Sequence, residues 1–524
     1  MRFFTKTARI LCAGITGIIL MTWLLPAFSL SASARTEQKL IGYRGDVNQD
    51  STVDLTDALL LQSILLTEGE QPKPDAFCFS DLNKDEGLDA RDLTILKRVV
   101  ETHAEPEPVY QETEIPDPVP VPAPIRALAP ALPSTGARKI LLVSVDFPDC
   151  SDEQEYSAEQ IKEIAFGPAD PSSRFYPLES ITAYYGRASY GRLHLTGDVY
   201  KYTANAGVDV YAEHPEYLIG EIMYALDPTV NYQEYDSDRN LILDTLLVHL
   251  PAAANPEMNV ESPWWPCSYK PFVMGFFDRL RVGNVCIGSW DLSDQAGFVS
   301  TWTHELGHAM GLPDYYYYVN PIGDGDGLPG EAGMVMMDDA LGDLTAFDKL
   351  MVGWYAAGEV QFYSGGTMTF TIPSSQHAPG CIMIPKGDAF GALSEYFLVE
   401  YVTADENNRF GTFGGIMAPF MQHEGVRVLH CDAEVTFEEW GPEFKWGNYS
   451  SHYDSSNLKQ RVLRLVSSKR SGFFEEGRTI DASREHFGWY GEDGFDTVDP
   501  GVTIRVDRIA DGMCTVTVSD GKAA

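Results

Sequence analysis

Basic side chains are scarce in this chain of 524 residues. It has 38 lysine and arginine residues against 76 aspartate and glutamate residues, for a formal net charge of −38. A surface this negative repels phosphate backbones and anionic lipid headgroups, so nucleic acids and membranes are not expected partners. The same charge suits an extracellular protein that holds calcium.

Long apolar runs are also scarce, and the one present is at the N terminus. Three basic residues within residues 1–9 precede an apolar run over residues 10–30, followed by Ala-Ser-Ala at residues 32–34. This order predicts a secretory signal peptide over residues 1–34. The run is long enough for a membrane anchor, but the small-residue cleavage site favours removal. We therefore expect a soluble, extracellular mature protein.

Cysteines are few and irregularly spaced. Of the eight, Cys12 would leave with the signal peptide, and seven would remain. An odd number without regular spacing gives no disulfide framework, so we predict no particular pairing. The chain is too long for one hydrophobic core, so at least two domains are expected.

One dense motif, THELGHAMGLPD, stands out against these absences. On a helix His304 and His308 share one face and can hold one metal ion. Glu305 lies beside them, where it can take a proton from a water at that metal. Gly311 and the proline two residues later end the helix, so Asp314 can return as a third ligand. Three ligands and one open position predict a catalytic zinc site; a surface helix with two histidines is the simpler alternative.

A duplicated acidic pattern follows the signal peptide. Positions 1, 3, 5, 7, 9 and 12 of two loops are occupied by Asp46, Asn48, Asp50, Thr52, Asp54 and Asp57, and by Asp81, Asn83, Asp85, Gly87, Asp89 and Asp92. Each loop precedes an apolar helix, predicted over residues 58–66 and 93–100. Oxygen donors at alternating positions suit a hard cation enclosed by one loop, so the pattern predicts two calcium sites.

Residues 40–102, which contain both loops, resemble a dockerin, the small all-α calcium-dependent module that binds cohesin domains of cellulosome scaffolds. Position 12 is aspartate, as is usual in dockerins, whereas position 6, Ser51 or Glu86, lacks the glycine of a full EF-hand. The resemblance assigns cohesin contact to positions 10 and 11 of each loop, which are Leu55, Thr56, Ala90 and Arg91. Because the two pairs differ, we expect a single docking orientation. So small a module has little core, so calcium should contribute to its folding.

Residues 103–137 are rich in proline and have little helix or strand periodicity. This composition predicts a semi-rigid, extended spacer between two folded parts.

The remaining chain predicts a mixed α/β part over residues 138–356 and a β-rich, sandwich-like part over residues 357–524. Patterning in the first part predicts strands at 139–147, 193–202 and 241–250, and helices at 179–187 and 300–311. Short alternating runs in the second part predict strands at 367–372, 394–401, 425–430 and 502–506.

Several stretches of this region resemble the immune-inhibitor-A-like family of secreted metallopeptidases. They are KILLVSVDFPD, SITAYYGRASYGRLHLTGDV, THELGHAMGLPDYY, GMVMMDDALGDLTAFDKLMVGWY and SEYFLVEY. The resemblance implies a zincin-like catalytic domain with His304, His308 and Asp314 as zinc ligands and Glu305 as general base. It also implies a methionine turn at Met337, with Met336 as the alternative register.

A third calcium site is suggested by Asp236, Asp238, Asn240 and Asp244 in DSDRNLILD, although an acidic turn explains this pattern equally well. Together the motifs predict a secreted zinc endopeptidase that acts on proteins or peptides and binds a cohesin. Two alternatives stay open: a catalytically silent peptidase-like binding protein, and a dockerin-borne carbohydrate-active enzyme with two catalytic carboxylates.

Overall fold

The chain forms two compact units, Met1–Ile115 and Pro116–Ala524, in a computed structural model. The structure describes residues 36–49, 52–66, 79–85, 87–104, 106, 108–114, 131–271, 273, 275–317, 332–333, 335–387, 391–409, 424–438, 441–447, 459–467 and 473–521. The predicted signal peptide, Asp50 and residues 115–130 of the predicted spacer lie outside this set. Among the described residues, no helix combines the length and apolar character needed to cross a bilayer.

The first unit contains two helices, α1 (Leu55–Leu66) and α2 (Ala90–Thr102). They pack on a small core made of Val47, Ala58, Leu61 and Leu96. Both helices begin three residues before the predicted starts, so that the last loop aspartate, Asp57 or Asp92, lies in the first helical turn. A carboxylate there is favoured by the helix dipole.

The spacer prediction is wrong in its first part. Strand β2 (Pro108–Glu114) pairs antiparallel with β1 (Thr36–Tyr43), so residues on both sides of the helices form a two-stranded sheet. At the other end, Leu132 is fully buried and belongs to the core of the second unit. The composition predicts an extended backbone at β2 but not its pairing. The partner strand β1 lies about 70 residues earlier in the chain, and local patterning does not indicate pairing over that distance.

The second unit begins with a five-stranded sheet in the order β4-β3-β6-β9-β7, in which β7 is the antiparallel edge strand. Its strands are β3 (Gly136–Asp146), β4 (Leu193–Thr203), β6 (Leu246–Leu250), β7 (Cys267–Tyr269) and β9 (Val285–Ser289). The predicted strand at 241–250 is interrupted. Its first part, β5 (Ile242–Leu243), pairs instead with β8 (Arg281–Val282).

Helices cover both faces of this sheet, which makes the region a mixed α/β body. The helices are α3 (Ala158–Phe166), α4 (Ile181–Ala188), α5 (Pro215–Leu226) and α6 (Gln295–Ala309). Alternate residues of β3 face opposite sides, with Leu141 and Val143 in the core beneath α5 and Ile140 and Leu142 in the core beneath α3, α4 and α6. This is the two-residue period expected of a strand buried on both faces.

The C-terminal part is a β-sandwich. One sheet has the order β10-β12-β13-β14-β17 and the other the order β11-β20-β19-β18. The strands are β10 (Val360–Phe362), β11 (Thr367–Pro373), β12 (Cys381–Pro385), β13 (Glu395–Val402), β14 (Gly425–Asp432), β17 (Leu463–Leu465), β18 (Thr479–Ile480), β19 (Thr503–Ala510) and β20 (Met513–Ser519). A hairpin of β15 (Val435–Glu438) and β16 (Gly441–Phe444) lies between β14 and β17. Side chains from both sheets share one core, including Phe370, Phe397 and Val516.

The boundary predicted at residues 356 and 357 does not separate two cores. Tyr396 and Leu398 point away from the sandwich core and join the core that contains α6, together with α8 (Ala346–Met351). A buried ion pair reinforces this junction: Lys349 Nζ donates to Asp343 Oδ2 at 2.7 Å and to the carbonyl of Ser375 at 2.9 Å. The α/β part and the sandwich therefore form one packed body.

Candidate metal centre

Helix α6 presents the histidine motif from inside the core. Its first turn is capped by Asp294, whose carboxylate accepts the N–H of Gly297, and eleven of its fifteen residues are buried. The helix ends at Ala309, and Gly311 then adopts a φ of +94° that favours glycine. This turn brings Asp314 back toward His304 and His308.

The three predicted ligand atoms converge on one point. Asp314 Oδ1 lies 2.9 Å from His304 Nε2 and 3.2 Å from His308 Nε2, and the two Nε2 atoms are 3.2 Å apart. Ligands about 2.0–2.1 Å from a tetrahedral zinc ion lie about 3.3 Å from one another. The triangle therefore has the size that zinc requires.

The outer nitrogens of both histidines fix the direction of their lone pairs. His304 Nδ1 lies 2.8 Å from the carbonyl oxygen of Met336, and His308 Nδ1 lies 2.8 Å from that of Leu312. A carbonyl can only accept, so each Nδ1 carries a proton and each Nε2 faces Asp314. A cation that replaces the Nε2 protons would find two neutral nitrogen donors and one carboxylate oxygen.

The charge balance of the site favours positive charge between these three side chains. Burial alone would lower the pKa of His308, yet the Asp314 carboxylate raises it to about 9. Burial likewise opposes ionisation of Asp314, but the two histidines hold the pKa of its carboxyl well below its ordinary value. The pocket thus favours positive charge at the point where the three ligands meet.

Glu305 has the position and environment of a base. Its carboxylate oxygen and the ligand atoms of His304 and His308 lie within 4.8 Å of one another. The side chain is buried, and its Oε2 has no hydrogen-bond partner among the described residues. Burial raises its pKa above the ordinary glutamate value.

Met337, the predicted methionine-turn residue, packs against helix α6 at Gly307. Met336 and Met337 begin the short helix α7 (Met336–Asp339), and the carbonyl of Met337 accepts the N–H of Tyr315 at 2.9 Å. Gly307 makes this approach possible, because a Cβ at that position would lie 2.5 Å from Met337 Sδ. The sequence motif gave no role to Gly307 or to the Met336 carbonyl. The role of Gly307 depends on a close contact with Met337. The Met336 carbonyl is a backbone group, so no residue type marks it.

A second cluster forms at the predicted third calcium site. Carboxylate oxygens of Asp236, Asp238 and Asp244 lie within 4.8 Å of one another. The backbone N–H of Asn240 donates to Asp236 Oδ1 at 3.0 Å, which closes the loop around them. The structure therefore brings the predicted carboxylates together.

Asp244 is the unusual member of this cluster. It is 1% exposed, and its Oδ1 has no hydrogen-bond partner within the described chain, while Ser237 occupies the other oxygen. Burial raises the pKa of Asp244 to about 6. A buried, half-satisfied carboxylate beside two others fits a bound divalent cation better than an ordinary acidic turn.

The two loops of the first unit repeat the same backbone plan. Asp57 accepts the N–H groups of Asn48 and Asp54 at 3.1 and 2.8 Å. Asp92 in turn accepts those of Asn83 and Asp89 at 3.1 and 2.9 Å. Position 4 of each loop has a positive φ, at Gln49 (60°) and Lys84 (61°).

Among the described residues, the carboxylates of the two dockerin loops are farther apart than His304, His308 and Asp314 of the body. In the described part of the two loops, no three of them lie within 4.8 Å of one another. Several are instead hydrogen-bonded to loop backbone, including Asp81, which accepts from Lys84 at 2.8 Å, and Asp85, which accepts from Gly87 at 3.1 Å. Of the other predicted ligands of the first loop, Asp46 is buried and Thr52 is exposed. The predicted cohesin contacts Leu55, Thr56, Ala90 and Arg91 are exposed at the starts of α1 and α2.

Comparison with known families identifies the first unit. Residues 44–101 match the dockerin type I domain, inside the range predicted from the loops. The dockerin prediction is confirmed: dockerin domains bind calcium, and this one implies a cohesin partner, extracellular location and cellulosome-type attachment. The match covers a small part of the chain and does not extend into the body. No curated protein matches the chain.

Proposed function

We propose that the body is a zinc-dependent endopeptidase that its dockerin holds at a cellulosome-type scaffold. The observation that carries this proposal is the convergence of His304, His308 and Asp314 on one point, with the buried carboxylate of Glu305 beside it. Bound at that point, zinc supplies Lewis acidity for attack on a peptide carbonyl.

The residues of the chain divide the remaining work. With the metal in place of the Nε2 protons, His304 and His308 would act as neutral donors oriented by the carbonyls behind them, and Asp314 would supply one negative charge. Two neutral ligands and one carboxylate leave net positive charge on a divalent ion, which preserves its acidity. This donor set fits a reactive centre with an open position better than a closed structural site.

Glu305 carries the proton. Its Oε2 has no hydrogen-bond partner among the described residues, so that oxygen is available to accept a proton from the attacking water. The raised pKa lets the resulting acid hold the proton until it is passed to the leaving amine nitrogen. This proton transfer suits a protein or peptide substrate, whose amide nitrogen needs a proton to leave.

Glu305→Gln tests this assignment because it keeps the size of the side chain and removes the base. We expect casein hydrolysis to fall about 10³-fold, within the range for loss of a general base, while zinc content stays at one equivalent by mass spectrometry. His304→Ala serves as the comparison variant and should lose both zinc and activity.

Other outcomes separate the alternatives. Casein cleavage that survives in Glu305→Gln would refute the role of the base. Zinc bound by the wild type without cleavage of any peptide in a diverse library would support the silent binding protein. Release of sugar that persists in chelator would support a carbohydrate-active enzyme.

A further inference from the structure

Helix α5 of the body has an aromatic outer face. Its inner side packs on the core of the central sheet through Leu218, Ile219, Ile222 and Met223. On the opposite side, Tyr217 and Tyr224 are 62% and 63% exposed. A surface helix normally presents polar side chains on the face opposite its core stripe, so these two rings are not explained by the folding of the helix.

The two tyrosines have a defined spacing. They are seven residues apart, so they lie on the same face of α5, separated by two turns or about 10.5 Å along the helix axis. Each ring also packs against a neighbour. The centroid of the His214 ring lies 4.9 Å from that of Tyr217, and the centroid of the Phe277 ring lies 4.9 Å from that of Tyr224. Rings held in this way lose less freedom when a ligand binds to them.

Gly220 lies between the two tyrosines on the same face, three residues after Tyr217 and four before Tyr224. Glycine weakens the interior of a helix relative to alanine. Packing does not explain this glycine, because among the described residues a Cβ there would meet one atom, Val273 Cγ1, at an ordinary contact distance of 3.9 Å. Gly220 leaves a low stretch of backbone between the two rings.

This arrangement suits an extended β-1,4-linked glucan. Alternate sugars of such a chain present the same face, and the length of one disaccharide is close to the spacing of the two tyrosines. Sugar rings have apolar C–H faces that pack on aromatic rings, and their hydroxyl edges form hydrogen bonds with polar neighbours. Glu216, which pairs with His214 at 3.0 Å, supplies a polar group beside Tyr217.

The charge of the chain selects among possible ligands. A formal net charge of −38 favours a neutral polymer over an anionic one. A protein partner fits less well, because the centre of a protein interface is a contiguous, well-packed apolar patch. On α5 the centre of the face is the backbone at Gly220.

We infer that the outer face of α5, formed by Tyr217, Gly220 and Tyr224, binds chains of a neutral β-1,4-glucan. The glucan is bound and not cleaved there, so the inference does not depend on whether the body is a peptidase. This face gives the protein an attachment to polysaccharide in addition to the attachment that its dockerin provides.

Binding of the full-length protein to microcrystalline cellulose, in calcium and without a scaffold, tests the inference. The protein left in solution gives the partition constant. We expect this constant to fall about tenfold in Tyr217→Ala and in Tyr224→Ala, as when a ring at an interface is truncated. Phe495→Ala removes a ring of the C-terminal part that is 40% exposed, and it should change the constant less than about twofold.

Gly220→Gln separates binding from folding. Glutamine favours the helix and places a side chain between the two rings. We expect the thermal midpoint of the body to stay the same or rise, while the partition constant on cellulose falls about tenfold. Damage to the fold does not produce this combination.

Three results would overturn the inference. The first is a wild type that does not bind cellulose, or four variants that bind it equally well. The second is equal binding to amylose, whose α-linked chain coils, because the ring spacing would then not select the ligand. The third is a higher KM for casein in the tyrosine variants with no cellulose binding by the wild type, which would identify this face as a contact for protein substrates.

Discussion

The candidate metal centre of the body and the calcium loops of the dockerin differ in how their side chains are held. In the body, His304, His308 and Asp314 converge within 3.2 Å of one another, held from behind by backbone carbonyls and by a large core. In the described part of the dockerin loops the carboxylates do not gather to that degree, and the core beneath them consists of four buried apolar side chains.

The difference predicts how much a bound cation contributes to the folding free energy of each unit. In the body, a large core and the carbonyls behind the histidines hold the three side chains in place, so we expect their arrangement to persist without a metal. The small core of the dockerin does not hold its loops in this way, so calcium becomes part of the folding free energy of the dockerin.

Chelation gives the largest expected contrast. In excess chelator we expect the dockerin to lose its separate calorimetric transition and its helical circular dichroism, because calcium supports its fold. The body should still melt cooperatively but lose its peptidase activity. A dockerin transition that persists unchanged in chelator would break the comparison.

Gly307→Ala tests how tightly the metal helix is held. The new Cβ would meet Met337 Sδ at 2.5 Å inside a fully packed core, so we expect a loss of about 1–3 kcal/mol in the unfolding free energy of the body. Zinc affinity and activity should fall with it, since Met336 supports His304 in the same turn.

Met337→Ala supplies the control for this clash. In the Met337→Ala variant, the further loss of unfolding free energy caused by Gly307→Ala should be close to zero, because the Met337 sulfur that the new Cβ would meet is absent. Fully additive costs in denaturant unfolding would show that the contact does not position the helix.

Asp244→Asn has the smallest expected effect on the unfolding free energy of the body, and the direction of its pH dependence can be predicted. Burial raises the pKa of Asp244 to about 6 in the folded protein, above the value of about 3.9 for an unfolded aspartate. The folded state therefore binds the Asp244 proton more tightly than the unfolded state does. The contribution of Asp244 to the unfolding free energy is favourable below pH 4 and is lost as the pH rises through 6. In chelator at pH 7, the asparagine variant should be as stable as the wild type or more stable, by about 1–2 kcal/mol.

Calcium should reverse that order at pH 7.5, because the ionised carboxylate then has a cation to bind. Thermal melts of the body at pH 4.5 and 7.5, with and without calcium, distinguish these cases. A calcium response of the body's transition that is identical in Asp244→Asn would exclude this loop as a cation site.

Local patterns predicted much of what positions the site. The four-residue histidine spacing predicted one face of α6, and the apolar run from Lys139 predicted β3. The structure adds what spacing does not encode. The pairing of β1 with β2 joins segments with little apolar signal, and the carbonyl of Met336 has no side-chain signature. The strand predicted at 241–250 is interrupted at Asp244. This residue lies inside an apolar run of the sequence, but its carboxylate belongs to the acidic loop.

The buried pair of Lys349 and Asp343 has a consequence for how such a gene can be rearranged. Lys349 also donates to the carbonyl of Ser375 in the sandwich, so a crossover near residue 356 would keep the ion pair in one half but leave the buried Lys349 ammonium without this acceptor. A crossover near residue 115, between the compact units, would cut through neither core. Exchange among scaffold-borne genes should therefore transfer residues 116–524 as one inheritable piece, with the dockerin as the replaceable part.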